Sequence, residues 1–247
     1  MTMGEPGMPS DPAALGNPKA EPGLPTPVLF CWSGGKDSAL ALHALRQRAD
    51  IRMAGLLTTV TDAYDRISMH GVRRTLLLQQ ADRLGLPLAE VRIPPKCCNA
   101  VYESRMDEAL RVQLAAGIRT VAFGDIFLAD LRAYREQNLA RLDMRAIFPL
   151  WKRDTGRLAR EFWNLGFRAI VVSIVPKKLD RSCAGRELTP EFFEQLPAGV
   201  DPCGENGEFH SFVFAGPIFP RPIEIERGEV VERDGYLFCD VRERRPG

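Results

Sequence analysis

The sequence predicts an α/β protein built on a doubly wound parallel sheet, with a smaller C-terminal region. Short apolar runs alternate with longer segments of helical periodicity between residues 28 and 174, a pattern typical of βαβ units and a parallel sheet. From about Pro176 onward, Gly and Pro break the chain into short segments. A chain of 247 residues, 45% hydrophobic, can bury one sizeable core and a small appended domain. We therefore expect a first domain over 27–176 and a C-terminal, substrate-facing region over 177–247.

The elements follow one another in a regular order. Residues 1–26 are rich in Pro and Gly without apolar periodicity, which predicts a disordered tail. The helix at 71–84 places Val72, Leu76 and Leu84 on one face. Near the C-terminus we expect a hairpin with its turn at Gly228, between strands at 223–227 and 230–233, and a strand at 236–241. The other predicted strands are 28–31, 53–59, 88–93, 120–123 and 169–174, and the other predicted helices are 39–45, 99–116, 128–141 and 155–165.

A glycine-rich turn, Ser33-Gly34-Gly35-Lys36-Asp37-Ser38, joins the first strand to the first helix. Such a turn points backbone N–H groups at a helix N-terminus, where the helix dipole favours an anion. It is not a Walker A loop, because Asp37 follows Lys36 and Phe30 stands where the first glycine would be. No G-x-G-x-x-G supports a dinucleotide site. The turn therefore predicts a nucleotide phosphate site of another kind.

Composition excludes several classes. The formal net charge of +1 gives no electrostatic attraction to nucleic acid, which we therefore do not expect as a partner. No apolar run reaches membrane-spanning length, so no membrane association is expected. The six cysteines contain no C-x-x-C and favour a reducing cytoplasm over secretion.

Three further features leave alternatives open. Asp125, after the predicted strand at 120–123, would either cap the next helix or bind ribose or magnesium. His70 would either touch a phosphate or cap the helix that follows it. The adjacent Cys97 and Cys98 would be either ordinary buried thiols or a persulfide or disulfide relay.

A segment rich in carboxylates lies near the C-terminus, Asp201-Pro-Cys-Gly-Glu-Asn-Gly-Glu-Phe-His-Ser211. Two glycines frame Glu205 and Glu208, and His210 follows. The plain alternative is a solvated turn before a strand. Two carboxylates and an imidazole together can instead bind a cation, hold a metal or orient an amine nucleophile, so we expect substrate recognition here.

These residues resemble the diphthine–ammonia ligase family of PP-loop ATP pyrophosphatases. The C-terminal Gly204-Glu-Asn-Gly-Glu-Phe-His210 element is the most distinctive mark, and Ser211 follows it where many members have Thr. The resemblance covers roughly residues 27–222 and implies a fold of the PP-loop type. The other matching marks are Ser33-Gly-Gly-Lys-Asp-Ser38, Met69-His70-Gly71, Asn99 with Tyr102, Phe123-Gly124-Asp125-Ile126 and Phe148-Pro-Leu-Trp151.

Members of that family activate a carboxylate with ATP, release pyrophosphate and amidate the acyl-adenylate with ammonia. The resemblance implies ATP and Mg²⁺ as cofactors, with Asp37 positioning the metal or ordering the loop. Asp37→Ala would then abolish most pyrophosphate release and leave the fold intact. The candidate catalytic residues are Lys36, Asp37, Glu205, Glu208 and His210, and the candidate nucleotide-binding residues are Ser33, Gly34, Gly35, Lys36, Asp37, Ser38, Thr58, His70, Gly124 and Asp125.

The acceptor is open at this point. Diphthine is a modified histidine on the elongation factor of eukaryotes and archaea. Only six of the 33 basic Lys and Arg residues are lysine, a bias typical of GC-rich bacterial genomes, and there the acceptor would be a small carboxylate metabolite such as a cobalamin precursor. Two other functions stay open: a PP-loop enzyme that thiolates tRNA, for which Cys97 and Cys98 are the only foothold, and an ATP-binding sensor without catalysis. Without a glutaminase domain, free ammonia is the expected nitrogen donor.

Overall fold

The computed structural model describes residues 24–244, which form two sheets. The predicted disordered tail at 1–26 lies outside the described residues except for its last three, and Thr26 already begins the first strand. The first sheet contains β1 (Thr26–Cys31), β2 (Ile51–Thr61), β3 (Arg66–Ile67), β4 (Leu88–Ile93), β5 (Thr120–Ala122) and β6 (Arg145–Ile147). The helices of this part are α1 (Lys36–Arg46), α2 (Arg74–Leu84), α3 (Asn99–Ala115), α4 (Ala129–Ala140) and α5 (Thr155–Asn164).

The first sheet is parallel apart from the short β3, which pairs antiparallel with the end of β2. The parallel strands follow the order β4-β2-β1-β5-β6. The chain leaves β1 towards β2 on one side and later returns to place β5 on the other. The order thus reverses between β1 and β5, and ligands of open α/β sheets bind in the crevice at the carboxyl ends of such a pair.

Helices cover both faces of this sheet. Along β1, Val28 and Phe30 pack in one core cluster with α1 and α2, while Leu29 packs in a second cluster with α3 and α4. This alternation follows from the two-residue period of a strand. It confirms the predicted α/β, doubly wound sheet.

The second sheet corrects the prediction at one strand. Residues 169–174 were expected to continue the parallel sheet, but β7 (Arg168–Ile174) pairs antiparallel with β8 (Phe209–Ala215) and β10 (Tyr236–Glu243). Every residue of β7 after Arg168 is buried, so its apolar run cannot be distinguished in sequence from a central parallel strand. The change of sheet comes between β6 and β7, before residue 176. A short helix, α6 (Pro190–Glu194), lies between β7 and β8.

The C-terminal hairpin also differs from the prediction. β9 (Ile225–Arg233) is continuous through Gly228 and pairs antiparallel with β10. The turn lies instead at Asp234-Gly235, where both residues have positive φ, 51° and 81°. That is the conformation of a type I′ turn, which suits the right-handed twist of paired strands. The Asp-Gly pair was therefore the relevant turn signal.

Candidate active site

The glycine loop, residues 33–38, crosses from β1 into α1 at the point where the strand order reverses. Gly34 has φ +78°, and a Cβ there would lie 2.7 Å from Gln80 Oε1, so both conformation and space require glycine. The Ser33 and Ser38 hydroxyl oxygens are 2.7 Å apart. Gly35 is the N-cap of α1 and makes no side-chain capping bond. Lys36, Asp37 and Ser38 of the first turn of α1 line the cavity described below.

Lys36 and Asp37 form a pair inside this loop. The Lys36 side chain is only 2% exposed, and its Nζ donates to Asp37 Oδ1 and Oδ2 at 2.8 and 2.7 Å. It also donates to the carbonyl oxygen of Cys203. Burial alone would lower the pKa of Lys36, but the Asp37 carboxylate, together with Cys203 and Glu205, outweighs it and the net pKa is raised. Lys36 is thus a buried cation whose nearest counter-charge is Asp37.

The loop is joined to the second sheet through β8. Lys36 N donates to Ser211 Oγ at 3.1 Å, and Val213 N donates to Gly34 O at 2.9 Å. The buried Gln80 of α2 completes this joint: it accepts from Trp32 Nε1 at 2.9 Å and donates to the carbonyl oxygens of Gly34 and Val213 at 3.0 and 2.7 Å. The two sheets therefore meet at the glycine loop.

Glu205 and Glu208, both predicted to face the acceptor, take different positions. Glu205 Oε1 accepts the backbone N–H of Ile126 at 2.7 Å, and burial raises the pKa of its carboxyl group to about 7. Glu208 is 3% exposed, and its Oε1 accepts from Asp201 N and Asn206 Nδ2. Glu208 thus bonds within the carboxylate loop, residues 201–208, and its role towards the acceptor stays a prediction.

His70 and His210 lie against each other, with ring centroids 4.4 Å apart and planes tilted by 43°. Burial lowers the pKa of His70 to about 4, and it lowers the pKa of His210 well below its usual value, helped by the neighbouring His70. Both rings are therefore neutral near pH 7. His70 does not cap the next helix: the N-cap of α2 is Arg73, without a side-chain capping bond.

Asp125 does not cap a helix either. Its Oδ2 lies 2.8 Å from Nε of Arg135 on α4, whose N-cap is Leu128. The Arg135 guanidinium also lies 4.4 Å from the centre of the Phe123 ring. A Cβ on the preceding Gly124 would lie 3.1 Å from Ser38 N. Because glycine has no side chain, the end of β5 can approach the glycine loop closely.

Two adjoining cavities open at this edge of the parallel sheet. The glycine pocket has a volume of about 320 Å³, and the strand-end cleft beside it has about 660 Å³. Thr58 lies in the cleft, where its hydroxyl donates to Trp32 O at 2.7 Å. Gly34 and Glu208 line neither cavity. The predicted residues that line the glycine pocket are Ser33, Gly35, Lys36, Asp37, Ser38, His70, Gly124, Asp125, Glu205 and His210.

The cysteine pair is split between two environments. Cys97 is partly buried and lines the strand-end cleft with Asn99 and Tyr102. Cys98 is exposed at the N-cap of α3. All six cysteines are free thiols. The pair is therefore not a disulfide, and of the two it is Cys97 that lines the strand-end cleft.

Three side chains of the site were not predicted. They are Gln80, Arg135 and Ser211, whose hydroxyl accepts a hydrogen bond from the glycine loop. Gln80 had a sequence signal, because it is a polar residue on the same face of α2 as the buried Leu76, Leu77 and Leu84. Arg135 had none, because arginines are frequent on exposed helix faces.

Within residues 24–244, no group of three or more His, Cys, Asp or Glu side chains is arranged to hold a metal ion. In the same range, no helix combines the length and apolar character needed to cross a membrane.

Comparison with known proteins identifies a family. Residues 26–146 match the model of the diphthamide synthase N-terminal domain, and residues 154–244 match that of the diphthamide synthase C-terminal domain. The diphthine–ammonia ligase of Danio rerio is 28% identical over 239 residues, covering 87% of this chain and 92% of that protein. The Homo sapiens diphthine–ammonia ligase is 25% identical, covering 85% and 86%.

A solved structure aligns more loosely. The U34-tRNA thiolase NcsA from Methanococcus maripaludis matches 57% of this chain and 57% of its own, with a TM-score of 0.36 and 18% identity. A similarity at that level supports no conclusion about function.

Proposed function

Because the chain belongs to the diphthamide synthase family, we propose that it is an ATP-dependent ligase that amidates a carboxylate with ammonia and releases AMP and pyrophosphate. One observation carries the proposal: the glycine loop and Glu205 of the carboxylate loop, more than 160 residues apart in sequence, line the same pocket at the sheet's switch point. A loop of this kind binds phosphate, and the carboxylate loop opposite supplies Glu205, which can accept a proton from an amine.

The two cavities suit the two ends of ATP. The glycine pocket offers the first turn of α1 to the phosphates, while the larger strand-end cleft has room for the nucleoside between Thr58 and Tyr102. Both cavities share Ser33, His70 and Arg135, so one ligand can occupy both. The α-phosphorus would then lie near this shared rim.

In the first step, an oxygen of the acceptor carboxylate attacks the α-phosphorus. The bond between that phosphorus and the α–β bridging oxygen breaks, and pyrophosphate leaves with the electron pair. Negative charge grows on the leaving group, and the α1 N-terminus and the Lys36 charge stabilise it. The Lys36 ammonium acts by its charge and not by a direct hydrogen bond, because it donates to the Asp37 carboxylate and to the carbonyl oxygen of Cys203.

Magnesium fits this arrangement through a single protein ligand. Mg²⁺ commonly reaches such sites on the phosphates and takes one or two carboxylates from the protein. Asp37, 25% exposed at the glycine pocket, would hold it there. When bound, the ion would offset part of the charge of the phosphates.

In the second step, ammonia attacks the acyl carbon, the bond to the AMP oxygen breaks, and the nitrogen loses a proton. Glu205 is the best proton acceptor among the candidates, since its pKa of about 7 lies near working pH. His70, with a pKa of about 4, is a much weaker base. We assign His70 and His210 to the pocket wall, where both rings are neutral near pH 7.

The acceptor is diphthine on an elongation factor or a small carboxylate metabolite, and free ammonia is the nitrogen donor. The six free thiols suit the cytoplasm that the composition predicts. The decisive experiment measures pyrophosphate release from Mg²⁺-ATP and ammonium with a panel of carboxylates and diphthine-bearing elongation factor. Release that depends on one carboxylate, with AMP and an amide as products, would support the ligase. ATP binding without release against any acceptor would favour a sensor.

A further inference from the structure

A third cavity, the hairpin pocket, lies beside the site described above. It has a volume of about 240 Å³ and is formed by the β9–β10 hairpin, the turn after β2 and the segment after β4. Tyr64, Tyr236 and Phe238 provide aromatic walls. The volume is slightly below the range of about 300–1,000 Å³ for drug-sized ligands. The pocket therefore fits one ring or one side chain.

The hairpin pocket continues into the strand-end cleft. Thr61, Ile67, Met69 and Lys96 line both cavities. Met69 stands between them, 65% exposed and with φ +66°. Its neighbour His70 lines the cleft and the glycine pocket. A ligand extending past Met69 would thus reach the predicted reaction centre.

Apolar side chains gather at the mouth of this pocket. Tyr64, Met69 and Val231 line it and are 44%, 65% and 42% exposed. An exposed apolar cluster bordering a cavity marks a ligand-contacting surface more often than single exposed residues do. The pocket therefore has the surface of a binding site as well as its shape.

The charge of the pocket favours an anion. The lining residues include two carboxylates, Asp234 and Asp240, and three cations, Arg66, Lys96 and Arg233. Lys96 pairs with Asp234 at 3.4 Å and Arg66 pairs with Asp240 at 2.8 Å, so the surplus charge lies at Arg233. The negative charge of Asp240 is offset by three arginines, because its oxygens accept hydrogen bonds from Arg66, Arg73 and Arg242 at 2.8–2.9 Å. These bonds lower the pKa of Asp240, and the bond from Arg73 has the largest effect.

A cationic ligand would find aromatic walls here but no free carboxylate. Aromatic cages that bind quaternary ammonium groups depend on ring faces open to the cation. Here a cation already occupies one face, since the Arg233 guanidinium lies 4.7 Å from the centre of the Tyr64 ring. The pocket thus combines apolar walls with surplus positive charge.

We propose that the hairpin pocket is the acceptor subsite and binds an apolar, ring-sized part of the acceptor that carries a second carboxylate. The assignment of this ligand as the acceptor rests on the proposed ligase function, whereas the anion site itself does not. A second carboxylate bound by Arg233 would leave the reacting carboxylate directed past Met69 towards the glycine pocket. The acceptor class would then be a dicarboxylate with an apolar skeleton, which differs from the cationic diphthine side chain.

The test uses three benzene derivatives of similar size as probes: isophthalate, its neutral diamide and benzyltrimethylammonium. Their dissociation constants for the full chain are measured by ligand-observed NMR, with and without α,β-methylene ATP. We expect isophthalate to bind about tenfold more tightly than either other probe, in both conditions. Arg233→Gln should weaken isophthalate about fivefold, the effect of one exposed ion pair of about 1 kcal/mol. Tyr64→Ala should weaken it too.

Arg221→Gln, a change at an exposed arginine outside the pocket, is the matched control and should leave binding unchanged. Three results would overturn the proposal: tighter binding of the trimethylammonium probe, equal effects of the two arginine variants, or displacement of isophthalate by the ATP analogue. The last would place the probe on the glycine loop. Because no turnover is measured, failure of the ligase reaction would appear separately, as an absence of pyrophosphate release with every acceptor.

Discussion

Glu205 accepts the backbone N–H of Ile126 at 2.7 Å, across 79 residues of sequence. The same oxygen accepts a weaker bond from Phe127 N at 3.3 Å. The carboxylate loop is thereby held against the segment that follows β5, next to Gly124 and Asp125. The candidate proton acceptor thus also fixes one wall of the pocket.

Replacing Glu205 by Gln should remove a pH dependence. With a pKa of about 7, Glu205 is a base only above that pH, so amide formation in the unchanged protein should rise as pH increases through about 7. Glu205→Gln should lose this rise and lower the rate about 100-fold or more, the usual contribution of a general base. Amide formation is measured from pH 6 to 8.5 at constant free ammonia. Exposed Glu194→Gln on α6 is the control, and a variant profile that still rises at pH 7 would contradict the assignment.

Asp37→Asn should affect both the fold and the reaction. The sequence alone predicted that Asp37→Ala would leave the fold intact, but Asp37 is the counter-ion of the buried Lys36. Removing it should lower the free energy of unfolding by about 3 kcal/mol and pyrophosphate release about 100-fold. Urea denaturation and a pyrophosphate assay measure the two. Asp50→Asn breaks an exposed pair with Arg48 and should change neither, whereas unchanged stability in Asp37→Asn would refute the buried pair.

Gln80→Leu should weaken ATP binding although Gln80 lines neither of the two cavities proposed for ATP. It would leave Trp32 N–H and the Gly34 and Val213 carbonyls short of partners, at a cost of about 1–3 kcal/mol each where no water replaces the amide. Because the loop would lose its position, KM for ATP should rise more than kcat falls. Gln79→Leu on the same helix is the control. Loss of stability with an unchanged KM would make Gln80 a structural residue only.

The buried histidines should make the fold sensitive to acid. The pKa of His70 is about 4 in the folded protein, against 6.5 as its ordinary value, so the unfolded chain binds more protons between these values. The free energy of unfolding should therefore fall as pH drops from about 6.5 to 4. Glu205, whose folded pKa is raised, opposes this in part. Urea titrations at pH 7 and pH 5 should show a smaller loss for His70→Asn than for the unchanged protein, and an equal loss would refute the assignment.

Cys98→Ala should leave pyrophosphate release unchanged, since Cys98 is exposed at the start of α3 and lines neither the glycine pocket nor the strand-end cleft. Cys97→Ala, at the cleft wall, should alter KM for ATP at most. Both are measured in the pyrophosphate assay with circular dichroism as the check on folding. Complete loss of activity in a folded Cys98→Ala variant would favour the sulfur-transfer chemistry of a tRNA-modifying enzyme.

Much of the site could be predicted from local sequence. The glycine loop was recognisable because a strand, a glycine pair and a helix follow one another within about 20 residues, and each signal is local. The strand β6 was missed because it has three residues, one of them the exposed Arg145. The strand β7 was assigned to the wrong sheet because its buried run has the same pattern in either sheet.

The sequence by itself determined the fold class, the glycine-rich turn between β1 and α1 and the family, since these depend on periodicity and on short contiguous motifs. Only the tertiary structure decided which side chains face the pocket. Glu205 and Glu208 lie three residues apart in one motif, yet one enters the glycine pocket and the other is buried beneath its loop. The direction of a side chain in an irregular loop is set by long-range partners such as Ile126 N–H, and those partners are brought near only when the two sheets pack together.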